Sequence, residues 1–219
     1  MSRMSVKYVL VGEMHGTNEA SKAFLDIIEN YGAKNVALEW PSDFQKNIDE
    51  FMEGRLGIDK LPVFNTNWSR GDGRASEAMK RLLVELKRRK LKVYAIEDYS
   101  LSKDKDIAMA KSLKKISGRV VALMGNVHAL KTEYNGIKTC GSLLPSRQTV
   151  SFSVESVNGG KVCNVIEQKP EIRNVFDPKL NKSYSKFKLP VMVPSEEEGY
   201  SCLYLVNKFT PSRTKKTEM

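Results

Sequence analysis

Histidine is nearly absent from this chain, with two in 219 residues, His15 and His128. Cysteine is scarce too. Cys140, Cys163 and Cys202 show no CxxC spacing and cannot all pair, which excludes a disulfide framework and points to a reduced, cytoplasmic setting. No apolar run approaches the roughly 20 residues that a membrane-spanning helix needs, so no membrane partner is expected. The start, MSRMSVKYVLVGE, has a short apolar run that stops at a glutamate and does not read as a secretory signal. There is no G-x-S-x-G elbow and no P-loop, which leaves a serine hydrolase or an NTPase without support. Gly71-Asp72-Gly73 has no strand before it and lacks the third glycine of a dinucleotide fingerprint.

What is present suits a soluble globular domain, with 41% hydrophobic and 28% charged residues. The length fits a single α/β domain over 1–210, followed by a disordered basic tail over 211–219. The net charge of +10 raises the question of an acidic partner. Basic residues cluster from Lys80 to Lys92, but Leu82, Leu83, Leu86 and Leu91 fall near helical spacing, so the charges read as a solvated face. No aromatic residues interleave with them, as a single-strand-binding surface would require. Weak nonspecific affinity for nucleic acid follows from the charge and defines no function.

Strands and helices alternate through the first two thirds of the chain. Apolar runs at 7–12, 35–40, 92–98 and 119–126 predict four strands. Helical patterns lie at 17–32, with Thr17 or Asn18 as cap and Gly32 as stop, at 42–52 from Ser42, at 74–90 and at 102–117. Such alternation argues for a parallel sheet covered on both faces. Residues 53–72 read as a long loop, of the kind that walls a site. After His128 the pattern changes. Two strand-like runs, 147–156 and 161–168, flank Asn158-Gly159-Gly160, which predicts an antiparallel hairpin. Residues 169–194 read as a surface excursion, and 200–206 as a last strand.

The four predicted strands share one property. The first ends in Gly12, Glu13, Met14 and His15; the second in Glu39; the third in Glu97 and Asp98; the fourth in Gly125, Asn126, Val127 and His128. Ligands of open parallel sheets bind at that carboxyl edge. Glu13 and His15 are two apart and converge if extended geometry persists, while Gly12 and Gly125 allow sharp bends and close approach. Two imidazoles with Glu13 and Glu39 have two chemical uses. They can hold a divalent transition metal such as manganese, zinc or iron, with Glu13, His15, Glu39 and His128 as ligands. Alternatively, a histidine takes a proton from water directly, oriented by a carboxylate. The second use needs a cation to offset the paired carboxylates, and Arg70 is the first candidate, with Arg74 second.

The stretches GEMHG, ALEWP and GNVHA resemble the superfamily that joins erythromycin esterases, ChaN-like haem-uptake proteins and the TraB/Tiki proteins. Its mark is a pair of G-x-x-H motifs, here Gly12 to His15 and Gly125 to His128, with a glutamate after the second strand, here Glu39. The likeness runs from about Lys7 to about Glu155. It implies a three-layer α/β sandwich around a mainly parallel sheet, to which the C-terminal runs add an antiparallel extension. It also implies a site of the two histidines, Glu13, Glu39 and an arginine. The chain is shorter than the esterase branch and leaves no room for a helical insert over a macrolide. The expectation is a metal-assisted hydrolase of an amide or ester bond, acting on a small-molecule or peptide substrate. Specificity would lie in the 54–73 loop and in 169–199. The alternative is a haem- or iron-binding protein without catalysis.

Overall fold

The fold was obtained as a computed structural model, which describes residues 6–65, 73–166 and 169–212. The first eight main elements alternate strand with helix, save for one helix pair: β1 (Tyr8–Glu13), α1 (Glu19–Tyr31), β2 (Asn35–Pro41), α2 (Gln45–Met52), α3 (Glu77–Arg88), β3 (Lys92–Glu97), α4 (Lys105–Lys115) and β4 (Val120–Gly125). With β5 (Thr149–Ser156), β8 (Val191–Pro194) and β9 (Cys202–Val206), these four strands form a seven-stranded sheet in the order β3-β2-β4-β1-β5-β9-β8. Each neighbouring pair is parallel except β8 on β9.

Alternation along the strands divides the core in two. Val9 and Val11 face one way and pack with Phe24, Ile27, Leu82 and Leu86 of α1 and α3. Tyr8 and Leu10 face the other way and meet Met109, Ala110 and Leu113 of α4. Side chains two apart in a strand share a face, so one uninterrupted apolar run serves both layers. Each fully buried leucine here contributes about 1.5–3 kcal/mol through apolar burial. The result is a three-layer sandwich.

Helix boundaries follow the local chemistry in part. Gly32 closes α1 in the left-handed conformation, at φ 59°, with its N–H on the carbonyls of Glu29 and Ile28. Asn18 sits at the N-cap position without capping; its Oδ1 accepts instead from Arg81 Nη2 at 2.8 Å, and its Nδ2 donates to Thr210 and Pro211. Ser42 opens a short 3-10 turn, Ser42–Phe44, ahead of α2 and makes no capping bond.

Three expectations fail after β4. Asn158-Gly159-Gly160 does not fold β5 back on its successor, because β5 is held on both sides by parallel neighbours, β1 and β9. The chain instead departs at Gly160, whose φ of 135° and 2.2 Å separation between an added Cβ and the Phe209 carbonyl admit only glycine. β6 (Gly160–Ile166) then pairs antiparallel with β7 (Lys169–Val175) in a sheet of their own. The stretch 169–194, expected as an excursion, carries β7, α6 (Pro178–Tyr184) and β8. Asp177 starts α6 by accepting from the N–H of Lys179. Finally, Pro211 and Ser212 are ordered rather than part of a loose tail. Ser212 is buried, accepts from the Ala78 N–H at 2.9 Å, and donates its own N–H to Gly16 at 2.8 Å. The rest of the expected tail, 213–219, lies outside the described residues.

Candidate active site

Strands β1, β2, β3 and β4 are parallel neighbours, so their carboxyl ends meet at one edge of the sheet. α1 leaves β1 on one face, while α4 reaches β4 across the other. The reversal of crossover direction opens a crevice at that edge. Glu13 ends β1, Glu39 lies near the end of β2, and Glu97 ends β3. Gly125 ends β4 and leads into α5 (Asn126–Ala129), a single turn that carries His128.

Four of the five expected site residues converge there. His15 Nδ1 is 2.9 Å from Glu13 Oε1. His128 Nδ1 is 2.8 Å from Asp106 Oδ1, on the first turn of α4. A carboxylate at Nδ1 favours the tautomer with the proton on that nitrogen and the lone pair on Nε2. Both Nε2 atoms then face one carboxylate: His15 Nε2 is 3.7 Å from Glu39 Oε2, and His128 Nε2 is 3.8 Å from Glu39 Oε1. Those gaps are too long for direct hydrogen bonds. Their floor is Gly125, where an added Cβ would stand 3.0 Å from His15 Nε2, 3.4 Å from His128 Cδ2 and 3.6 Å from Glu39 Oε2.

Glu39 is the hub. Its side chain is 3% exposed. Oε2 accepts from the Gly125 N–H at 2.6 Å, while Oε1 takes the Lys105 ammonium at 2.5 Å and Arg74 Nη1 at 3.2 Å. Both cations also bind Glu97, Lys105 at 2.9 Å and Arg74 in a still shorter contact. Burial alone pushes the Glu39 carboxyl up. His15, Lys105, Arg74 and His128 together outweigh it and bring the pKa down to about 2. Burial opposes the charge on Lys105 as well, but its carboxylate partners prevail and hold its pKa up. Glu39 is therefore an ionised group at neutral pH and too weak a base to take a proton from water.

The cation expected beside the carboxylates is supplied by Arg74 and Lys105; Arg70 lies outside the described residues. Trp40, buried at the end of β2, donates from Nε1 to the Arg74 carbonyl at 2.7 Å and so fixes that loop to the strand. Lys105, Asp106 and the pairing of Glu97 are not apparent from the sequence. Lys-Asp after the Asp104 cap looks like a solvated first turn, and Asp104 does cap α4, accepting from Ile107. The available signal was positional: α4 begins a few residues beyond the polar end of β3, so its first turn returns to the same edge.

The expected metal set of Glu13, His15, Glu39 and His128 is only partly brought together. Arg74 and Lys105 occupy Oε1 of Glu39, and Glu13 is turned to His15 Nδ1 rather than to the gap. Among the described residues, no group of three or more His, Cys, Asp or Glu side chains is arranged to hold a metal.

No family model matches the chain, and no curated protein matches its sequence. Solved structures do match in shape. An erythromycin esterase, EreC in its open conformation, superposes with a TM-score of 0.70 at 10% identity, over 96% of this chain and 93% of that one. A succinoglycan biosynthesis protein superposes with a TM-score of 0.66 at 11% identity, over 97% of this chain and 90% of that one. A haem-bound ChaN of Campylobacter jejuni lies further off, with a TM-score of 0.48 at 13% identity over 78% of this chain and 87% of that one. Near-complete coverage in both directions identifies the architecture: this chain has the erythromycin esterase fold.

Proposed function

We propose that the chain is a hydrolase of ester or amide bonds that works without a resident metal. The observation that carries this reading is the pair of carboxylate–histidine dyads, Glu13–His15 and Asp106–His128, whose Nε2 atoms face an ionised Glu39 across the Gly125 floor. In the reaction, a water held at Glu39 loses a proton to the Nε2 of one imidazole, and its oxygen adds to the substrate carbonyl carbon. The imidazolium, supported by its carboxylate, then returns that proton to the leaving oxygen or nitrogen as the bond breaks. Positive charge on Arg74 and Lys105 keeps Glu39 ionised and offsets the charge that grows on the carbonyl oxygen.

This geometry favours hydrolysis over haem ligation, because each Nε2 is directed at a carboxylate less than 4 Å away rather than at an open plane. The test is turnover of p-nitrophenyl acetate by protein exhaustively treated with chelator. Full activity is the expected result. Loss on chelation, with recovery on adding zinc or manganese, would replace this reading by a metal-assisted one.

A further inference from the structure

A second cavity lies beside the dyads, and the reaction proposed above makes no use of it. It encloses about 430 Å³, within the range of small-ligand sites. Met14, which stands between Glu13 and His15 in the chain, forms part of its wall. Glu155 belongs to β5, whose Ser153 is in register with Gly12 of β1, so the cavity opens at the same carboxyl edge as the histidines. Phe209, Val175 and Phe176 add apolar surface; Phe209 is buried and Phe176 is 62% exposed at the rim. The charged groups in the lining are Glu155 and Asp177, both acidic.

On a chain of net charge +10, an acidic cavity with aromatic walls is a selective feature. We propose that it is the specificity pocket of the hydrolase and takes an ammonium group joined to an apolar body. The inference rests on the hydrolytic reading for its role and on the cavity alone for its ligand. Glu155 Oε1 accepts from the Ser153 hydroxyl at 2.5 Å, and no hydrogen bond reaches its Oε2 among the described residues. Asp177 is occupied at the start of α6, so it adds field rather than a direct contact. Burial first, then Glu197 and Asp177 against the Ser153 hydroxyl, push the Glu155 carboxyl up to about 7. A bound cation would relieve that cost, and the rings of Phe176 and Phe209 suit an ammonium face. An anion would meet two carboxylates, and a neutral apolar ligand would leave the half-buried Glu155 without a counter-charge.

The test is direct calorimetric binding of 3-phenylpropylamine and of its neutral counterpart 3-phenylpropan-1-ol to the full chain. The amine should bind at least tenfold more tightly than the alcohol. Glu155→Gln, which preserves size, should abolish that difference, and Phe176→Ala, at an exposed position, should weaken the amine several-fold. Equal binding of amine and alcohol, no measurable amine binding, or unchanged amine affinity in folded Glu155→Gln would overturn the proposal. Binding is read without turnover, so a protein that hydrolyses no ester yet binds the amine fails the hydrolase reading alone.

Discussion

Glu39 shows how one residue ties stability to chemistry. Its folded pKa of about 2 lies below the ordinary 4.5, so its contribution to stability is complete above pH 4.5 and is lost as pH falls toward 2. Glu155 has the opposite sign. Its value of about 7 lies above 4.5, so its contribution is complete below pH 4.5 and is lost as pH climbs through 7. Melting temperatures of wild type and Glu155→Gln across pH 4–9 should therefore coincide best at the acid end, with the variant gaining relative stability above pH 7. Glu39→Gln should be less stable at neutral pH by about 3–5 kcal/mol, because Arg74 and Lys105 lose a buried counter-charge. Gly125→Ala should fold and yet lose at least tenfold in kcat/KM, since the new methyl would occupy the gap between the imidazoles. The residues legible in the sequence were those at the ends of apolar runs, where a polar group has no structural reason to stand: His15, Glu13, Glu39 and His128. Lys105 and Asp106 were hidden because a helix's first turn is an ordinary place for charge.

At the scale of elements, the sequence is clear wherever a strand is followed by its own helix. β1 to β4 and their crossovers fall within a few residues of their predicted bounds, because one apolar period serves both layers and polar residues mark each strand's end. Beyond β4 the partners are remote in sequence: β5 pairs with β1 and with β9, and no local turn chemistry records that choice. The Asn-Gly-Gly turn misled for this reason; it redirects the chain out of the sheet instead of reversing it. Ser212 is another remote partner, joining the N-terminus of α3 to the loop after His15. Chains ending after 212 and after 210 separate its role. The shorter should be less stable by about 1–3 kcal/mol in denaturant titration, with the buried Ala78 N–H left unpaired. Equal stability would show that Ser212 holds nothing.

For the whole molecule, the layered architecture was legible and the way the C-terminal third completes the sheet was not. The parallel half of the sheet builds the edge where the dyads meet, and β5, β7 and Phe209 build the wall beside them. A basic exterior surrounds a crevice in which carboxylates outnumber cations, so charge on the surface and charge at the site point to different partners. Surface charge should yield only salt-sensitive binding to nucleic acid, lost at physiological ionic strength. The crevice should determine chemistry. The central claim is that two histidine dyads perform hydrolysis, and steady-state turnover of p-nitrophenyl acetate by His15→Ala and His128→Ala tests it most directly. Each variant, with its circular dichroism and melting curve close to wild type, should lose at least about a hundredfold in kcat. Turnover near the wild-type rate in either folded variant would contradict it.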